Sequence, residues 1–264
     1  MNGHALELRD ITVTLPEGRA LVDQVSVRLA VGRCLGLVGE SGSGKSLLLR
    51  SIIGLLPAPL AGSGSVHRVT ADGTSEEIDR EAARGHEIGM IFQEPMRALN
   101  PVRRISWTLA EPLRMHLGLR GQALKERIRE QLDAVGIHDP ERVARSYPHQ
   151  LSGGMLQRVM IAAALSTSPS LLLCDEPTTA LDVTTQAKII ELLHELMAER
   201  DLTLVFVSHD LAVISQIADV VAVMREGRLV EIGGASDVIA NPGHPYTRML
   251  LASVEHMAEQ KGER

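Results

Sequence analysis

The chain has 264 residues, and its 27 lysines and arginines against 33 aspartates and glutamates give a formal net charge of −6. Hydrophobic residues make up 44% and charged residues 23%, which excludes disordered, collagen-like and coiled-coil chains and predicts a folded core. The acidic balance, without any block of like charges, argues against nucleic acid as a partner. Only five Phe, Trp and Tyr residues occur, so aliphatic side chains must fill that core.

The location of the protein is indicated by what its sequence lacks. Cys34 and Cys174 each lie in an apolar run, which favours buried, reduced thiols over a disulfide framework. No basic segment followed by an apolar one opens the chain, so we expect no signal peptide and a cytoplasmic protein. The longest uncharged stretch, residues 51–66, is broken by prolines and glycines, whereas a membrane span needs about 20 apolar residues. Any membrane association would be peripheral.

Alternation of apolar and polar residues near the N-terminus predicts a half-exposed sheet, and a strand that is apolar on both faces follows it. Strands of the second kind are typical of the interior of parallel sheets. In chain order we predict strands over residues 6–15, 25–29 and 34–38, a helix over 46–56, a loop over 57–64, a strand over 65–70, a turn at Asp72-Gly73, and a short helix opened by Thr74 with Glu77 three residues on.

The rest of the chain alternates between strand and helix patterns after a helical middle section. We predict a strand over residues 88–92, helices within 105–145, strands over 171–174, 203–207 and 220–224, and helices over 184–199 and 211–217. This alternation predicts an α/β fold with a helix-covered, largely parallel sheet.

A glycine-rich loop lies between the apolar strand at 34–38 and the helix that follows it. It has the pattern GxxxxGK[ST], in the residues Gly39, Glu40, Ser41, Gly42, Ser43, Gly44, Lys45 and Ser46. In this context the glycines let backbone N–H groups curl around a polyphosphate. Lys45 would reach the β- and γ-phosphates of a nucleotide and Ser46 would ligate Mg²⁺. The alternative is a flexible loop that only caps a helix.

A second apolar strand ends in two carboxylates, Asp175 and Glu176. Two acids after a strand often do no more than begin an exposed turn. Beside a phosphate-binding loop they have separable roles: Asp175 would hold Mg²⁺, through water, and Glu176 would orient and polarise the attacking water as general base.

Residues 151–158 decide the class, and they read Leu151-Ser152-Gly153-Gly154-Met155-Leu156-Gln157-Arg158. This segment resembles the signature of the ATP-binding cassette (ABC) family, and residues 39–46 and 171–176 resemble its Walker A and Walker B motifs. The resemblance implies that Ser152, Gly153 and Gly154 bind the γ-phosphate of ATP held by a partner subunit, so that a dimer forms the complete site. Without the other motifs, these residues would be an ordinary helix N-cap.

Three further positions match the family pattern. The resemblance implies that Gln93 contacts Mg²⁺ or the attacking water, that Asp182 belongs to the loop crossing the dimer interface, and that His209 contacts the γ-phosphate. Each residue alone would more often be a surface or core residue. In this order, beside Lys45 and Glu176, they complete the expected catalytic set, with ATP and Mg²⁺ as ligands.

The resemblance also implies the architecture. We expect a P-loop NTPase (RecA-like) fold, α/β, with a mostly parallel sheet core, an N-terminal antiparallel β subdomain and an α-helical insert. One ABC ATPase domain over residues 1–254 would divide into a β subdomain with the P-loop core (1–94), a helical subdomain with the signature (95–165) and a second core part (166–254). Residues 255–264 would form a flexible tail.

The sequence departs from the family pattern at the adenine site. Family members commonly stack adenine on an aromatic residue of the first hairpin, but the earliest Phe, Trp or Tyr here is Phe92. We therefore expect aliphatic packing by Leu15 or Ala20 and weaker selectivity for adenine.

Within the family, several segments resemble ATPase subunits of dipeptide, oligopeptide and nickel importers, notably residues 90–96, 99–101 and 244–248. The resemblance implies a peripheral protein on the cytoplasmic face of the inner membrane, partnered by a second ABC ATPase, two permease subunits and, indirectly, an extracytoplasmic substrate-binding protein. Residues 94–107 would face the permeases. The short stretch after residues 244–248 without a cysteine, the missing hairpin aromatic and residues 153–158 together resemble the shorter ATPase subunit of nickel importers, so nickel is the expected cargo. Peptide import is the alternative, and a soluble, non-transport ABC ATPase is a distant one.

Overall fold

The structure, a computed structural model, describes residues 5–70, 73–179 and 181–252. A four-stranded antiparallel sheet begins the chain, with strand order β2-β1-β4-β5. Its strands are β1 (Ala5–Thr14), β2 (Ala20–Leu29), β4 (Ala61–Val69) and β5 (Ser75–Glu77). Along β1 and β2, buried apolar residues alternate with exposed or partly buried polar ones, as the sequence predicts.

The second sheet has six strands in the order β10-β9-β3-β8-β7-β6. They are β3 (Cys34–Val38), β6 (Ile88–Ile91), β7 (Leu171–Asp175), β8 (Thr203–Val207), β9 (Val220–Arg225) and β10 (Arg228–Gly234). All pairs are parallel except β9 with β10. The predicted α/β fold with a mostly parallel core sheet and an antiparallel N-terminal sheet is confirmed. Cys34 and Cys174 are buried, free thiols within this sheet.

Helices cover the six-stranded sheet and form the middle section. They are α1 (Lys45–Ile52), α2 (Arg80–Ala83), α3 (Pro95–Ala98), α4 (Ile105–Leu117), α5 (Gly121–Ala134), α6 (Pro140–Arg145), α7 (Gly153–Ala164), α8 (Val183–Arg200), α9 (Leu211–Ile217) and α10 (Ala235–Ala240), with a 3₁₀ turn at Pro148–Gln150. One apolar cluster packs the antiparallel sheet and α1 against one face of the six-stranded sheet. A second cluster packs helices α4–α9 against the other face of that sheet. In the parts of the chain described, no helix has the length and apolar character needed to cross a membrane.

The structure corrects two of the predicted elements and adds two that were not predicted. The loop predicted over residues 57–64 is wrong at its end, because β4 already begins at Ala61 and pairs with β1 there. The helix predicted to open at Thr74 is wrong: residues 75–77 form strand β5, which pairs with β4, and the short helix α2 follows with Asp79 as its N-cap. The sequence prediction also missed β10 and α10. Asp72 and residues 255–264 lie outside the described residues.

Candidate nucleotide site

The glycine-rich loop of residues 39–46 leaves the buried strand β3 and ends at the first residue of α1. Lys45 is only 5% exposed, and its ammonium donates to the carbonyl oxygens of Gly39, at 2.7 Å, and Glu40, at 2.8 Å. Burial lowers the pKa of Lys45, while the negative charges of Glu176 and Asp175 act against that change. The loop therefore encloses the Lys45 ammonium, which lies near the carboxylates of Asp175 and Glu176.

The backbone of this loop fits a phosphate group. Gly39, Gly42 and Gly44 all have positive φ angles, which L-residues with side chains rarely adopt. A Cβ on Gly39 would overlap the carbonyl oxygen of Met224, and one on Gly44 would lie 2.8 Å from the carbonyl oxygen of Leu21. A Cβ on Gly42 would instead meet nothing within 4 Å. The loop is thus closed against the protein on one side and open on the other, at the positive end of α1.

Ser46, in the first turn of α1, and Asp175, at the end of β7, are hydrogen-bonded to each other and fit a magnesium ion. The Ser46 hydroxyl donates to Asp175 Oδ1 at 2.7 Å, and Asp175 is only 2% exposed at the end of β7. Burial raises the pKa of Asp175, whereas the Ser46 hydrogen bond and the charge of Arg50 lower it. A hydroxyl and a carboxylate are hard oxygen ligands of the kind that Mg²⁺ prefers.

Glu176 gathers three side chains on one carboxylate oxygen. Its Oε2 accepts from Gln93 Nε2 at 3.1 Å and from Thr179 Oγ1 at 3.0 Å, and it lies 3.3 Å from His209 Nδ1. The Glu176 backbone has a φ of 47°, and its N–H donates to the Val207 carbonyl of the neighbouring strand. The structure thus brings together three predicted catalytic residues. The sequence reasoning missed Thr179, for which only its place after the carboxylates gave a signal.

The signature residues form a second, separate group. Ser152 is the N-cap of α7 and accepts from the Met155 N–H at 3.4 Å, while Ser152 and Gly153 are exposed. Asp182 is the N-cap of α8, and its two carboxylate oxygens accept from the Thr185 N–H and hydroxyl, which lower its pKa. A Cβ on Gly154 would lie 2.7 Å from Thr185 Cγ2, so the signature and Asp182 meet at this threonine.

No hydrogen bond between described residues joins this second group to the glycine-rich loop or to Glu176. The structure therefore places the predicted site residues in two groups of one chain. Lys45, Ser46, Gln93, Asp175, Glu176 and His209 lie in the first, and Ser152, Gly153, Gly154 and Asp182 in the second.

The C-terminal segment reaches the glycine-rich loop, which the sequence analysis did not predict. Tyr246 is 3% exposed, and its hydroxyl accepts from the backbone N–H of Glu40 at 3.1 Å. The Gly227 N–H, in the turn between β9 and β10, donates to the Ser43 carbonyl at 3.0 Å. In the sequence, Tyr246 belongs to the segment 244–248 that resembles the family, but that pattern does not indicate a contact with the loop.

The sequence predicts a permease contact for one surface region and an adenine contact for another. Met96 and Val102, in the segment 94–107 predicted to face permeases, and Phe92 just before it are exposed apolar residues. Beside them Arg103 Cζ lies 4.8 Å from the ring centroid of Trp107, in the first turn of α4. On the other side, Leu15 is partly buried and Ala20 exposed, and Ala20 lines a cavity of about 470 Å³ with Arg225 and His244.

A buried strand, a glycine-rich loop, a helix and two carboxylates at the end of a second buried strand of the same sheet define a P-loop nucleoside triphosphatase. Comparison with known families agrees: residues 22–179 match the family described as "ABC transporter", and residues 230–264 match "Oligopeptide/dipeptide transporter, C-terminal region". The chain belongs to the ABC transporter family, as an ATPase of that family.

Similar proteins include the peptidoglycan transport ATP-binding protein YejF of Agrobacterium fabrum, 46% identical over 98% of this chain, and the dipeptide transport ATP-binding protein DppD of Haemophilus influenzae, 43% identical over 97%. The chain spans 47% of the first relative and 79% of the second. Among solved structures, cbiO1 of Clostridium perfringens, part of the ABC transporter complex cbiONQ, is similar with a TM-score of 0.75 at 25% identity, over 97% of this chain and 99% of that one.

These relatives bear on the expected cargo. The names of these two relatives, and of an oligopeptide transport ATP-binding protein OppD of Bacillus subtilis at 42% identity, refer to peptides or peptidoglycan. The expectation of nickel finds no support in these names, and the peptide alternative is favoured.

Proposed function

We propose that this chain is the ATP-hydrolysing subunit of an importer of dipeptides or oligopeptides. The observation that carries this proposal is that the complete P-loop and the Gln93–Glu176–His209 cluster occur in the same chain as a C-terminal segment of the oligopeptide/dipeptide type. Nickel, which the sequence analysis favoured, becomes the second candidate cargo.

The chain's own residues divide the work of hydrolysis. Backbone N–H groups of the glycine-rich loop and the ammonium of Lys45 would bind the phosphates, while Lys45 also donates to the Gly39 and Glu40 carbonyls. Ser46 and Asp175 would hold Mg²⁺, which when bound neutralises charge on the phosphate oxygens. Glu176 would take the proton of the attacking water at Oε2.

Three neighbours prepare Glu176 for this role. Gln93, Thr179 and His209 all lie against its Oε2, so the carboxylate is held in one orientation before substrate arrives. His209 is 58% exposed in its side chain, so it also has an open side toward the place where the γ-phosphate would lie. Hydrolysis develops negative charge on that group, which Lys45 and His209 would stabilise.

The exposed signature supports a dimer as the working form. Ser152 caps α7 and Gly153 and Gly154 begin it, so this N-terminus is suited to phosphate, and no hydrogen bond between described residues joins it to the P-loop of its own chain. A second ABC ATPase subunit, identical or related, would supply its nucleotide to this surface. We further propose two permease subunits against the exposed residues around Phe92 and Met96, a substrate-binding protein outside the cell, and a peripheral position on the inner membrane.

The test is uptake in cells that lack this subunit, complemented with the wild type, with Lys45→Ala, or with Lys125→Ala as a matched control on the exposed side of α5. Peptide uptake and nickel accumulation are measured in the same strains. We expect peptide uptake to return with the wild type and the control and not with Lys45→Ala. Restoration of nickel accumulation alone would replace the cargo, and equal uptake with Lys45→Ala would contradict an ATP-driven role.

A further inference from the structure

We propose that Tyr246 is a positioning residue for the P-loop, and that it holds the peptide unit between Gly39 and Glu40 when ATP is bound. The inference rests on the proposed ATPase function. It assigns to the C-terminal segment of residues 242–247 a role at the phosphate end of the nucleotide site.

The peptide unit between Gly39 and Glu40 is held from both of its ends. Its carbonyl oxygen, on Gly39, accepts from Lys45 Nζ at 2.7 Å. Its N–H, on Glu40, donates to the Tyr246 hydroxyl at 3.1 Å. Since a peptide unit is planar, a hydrogen bond at either end fixes the orientation of both groups. In the structure, Lys45 and Tyr246 therefore fix the same plane.

The Tyr246 hydrogen bond orders the loop before nucleotide arrives. The Lys45 ammonium has three N–H groups, so it can reach the phosphates and still donate to the Gly39 carbonyl at one end of this peptide unit. Tyr246 holds the other end, so the loop has less conformational freedom to lose when ATP binds. A loop that already has its binding geometry binds more tightly, because association then requires less ordering.

Tyr246 is itself held in a rigid setting. Its ring is 3% exposed within the apolar cluster, and Arg225 Cζ lies 5.0 Å from the ring centroid. The carboxylate of Glu231, on β10, accepts from the N–H groups of Gly243, at 2.7 Å, and His244, at 3.0 Å. The hydroxyl is therefore presented to the loop by a segment that is anchored independently of the nucleotide.

The experiment uses the full chain and calorimetric titration with the Mg²⁺ complexes of imidotriphosphate analogues of ATP and GTP, which are not hydrolysed. Tyr246→Phe removes only the hydroxyl and keeps the ring beside Arg225. We expect the Kd for the ATP analogue to rise about fivefold, because one net hydrogen bond of about 1 kcal/mol changes an equilibrium constant by that factor. Tyr147→Phe is the matched control, since no described hydrogen bond joins its hydroxyl to the P-loop.

The two nucleotides separate positioning of the loop from support of the base. Because the phosphates are common to both, we expect the same fold-change for the ATP and GTP analogues. A change for one analogue alone would overturn the inference and assign Tyr246 to the base. An unchanged Kd for both would overturn it as well, and a wild type that binds neither analogue would reject the proposed function and this inference together.

A second measurement tests the hydrogen bond in the wild type itself. Hydrogen exchange at the Glu40 amide, followed by NMR in the nucleotide-free wild type, should be slowed by the Tyr246 hydrogen bond and should become faster in Tyr246→Phe. Exchange of the Glu40 amide at the rate of an unprotected amide in the wild type would overturn the inference even if the variant failed to fold.

Discussion

The loops at residues 39–46 and 151–154 both lead through glycines into the N-terminus of a helix, but their surroundings differ. The first is enclosed: Lys45 is buried and hydrogen-bonded, and Ser46 reaches Asp175 on β7. The second is largely exposed, and the hydrogen bonds that Ser152 makes among the described residues stay within its own helix. One loop already has its chemical partners in the chain, whereas the other presents donors to the outside. Residues 39–46 therefore form the enclosed half of a site, which is nearly complete within the chain. Residues 151–154 form the exposed half, which needs the surface of another molecule.

The largest expected effect tests whether the enclosed half holds the base. Glu176→Gln keeps the shape of the side chain but cannot accept the proton of water, so turnover should fall by about 10² or more, at least roughly 2.7 kcal/mol of barrier. ATP binding should remain. Steady-state hydrolysis and nucleotide titration check both, with Glu195→Gln on exposed α8 as control. Turnover close to wild type would place the base elsewhere.

A second change compares two glycines of the enclosed loop. Gly39→Ala should destabilise the chain by about 2 kcal/mol, because its φ is 151° and its Cβ would overlap the Met224 carbonyl oxygen. Gly42→Ala, with φ 83° but open space around its Cβ, should cost about 1 kcal/mol. Urea unfolding measures both. Equal losses would show that the closed side of the loop is not as rigid as the structure indicates.

A third change tests the exposed half. Gly153 tolerates a side chain, since its Cβ would meet only Leu181 Cδ2 at 3.6 Å, and an acid near a helix N-terminus does not destabilise it. Gly153→Asp should nevertheless lower turnover at least about tenfold, because it adds negative charge where a partner's phosphate would bind. Nucleotide binding by single chains should change less than about twofold. A large loss of nucleotide binding by single chains would show that residues 151–154 belong to the nucleotide site of their own chain.

The smallest effect concerns the C-terminal support of the enclosed half. Burial favours the neutral acid of Glu231, but the nearby polar Thr247 hydroxyl and hydrogen bonds from the Gly243 and His244 N–H groups outweigh it and lower its pKa. A lowered pKa stabilises the fold above the unfolded value of about 4.5, and that contribution is lost as pH falls through the folded pKa.

Glu231→Gln should therefore destabilise the chain by about 1 kcal/mol at pH 7 and reduce the loss of stability on acidification. Thermal unfolding between pH 7 and pH 3 measures both. The same pH dependence in the variant and the wild type would show that another carboxylate is responsible.

Much of the enclosed half could be predicted from sequence because its signals are local. A strand, a glycine loop and a helix follow one another directly, so residues 34–46 predict their own geometry, and β3 lies where it was expected. The convergence of Gln93, Glu176 and His209 on one oxygen required the family resemblance, since the three belong to different segments of the chain.

The errors lie where pairing with a distant strand decides the structure. Residues 61–64 carry almost no apolar side chains, so only their pairing with β1 makes them a strand. Likewise residues 75–77 have the composition of a helix start, but they pair with β4 and form an edge strand of the sheet. β10 escaped prediction because its burial does not alternate, and Tyr246 because no local pattern connects it to a loop 206 residues earlier.

The stacking of Arg103 on Trp107 has a practical consequence. Trp107 is the single tryptophan of the chain, and it is partly buried at the start of α4, directly after the exposed residues around Val102. Fluorescence excited selectively at tryptophan therefore comes from one known position, without engineering or labelling. Arrival of another protein at this surface would change the solvent and the cation around that indole, so its emission provides a built-in optical reporter of assembly.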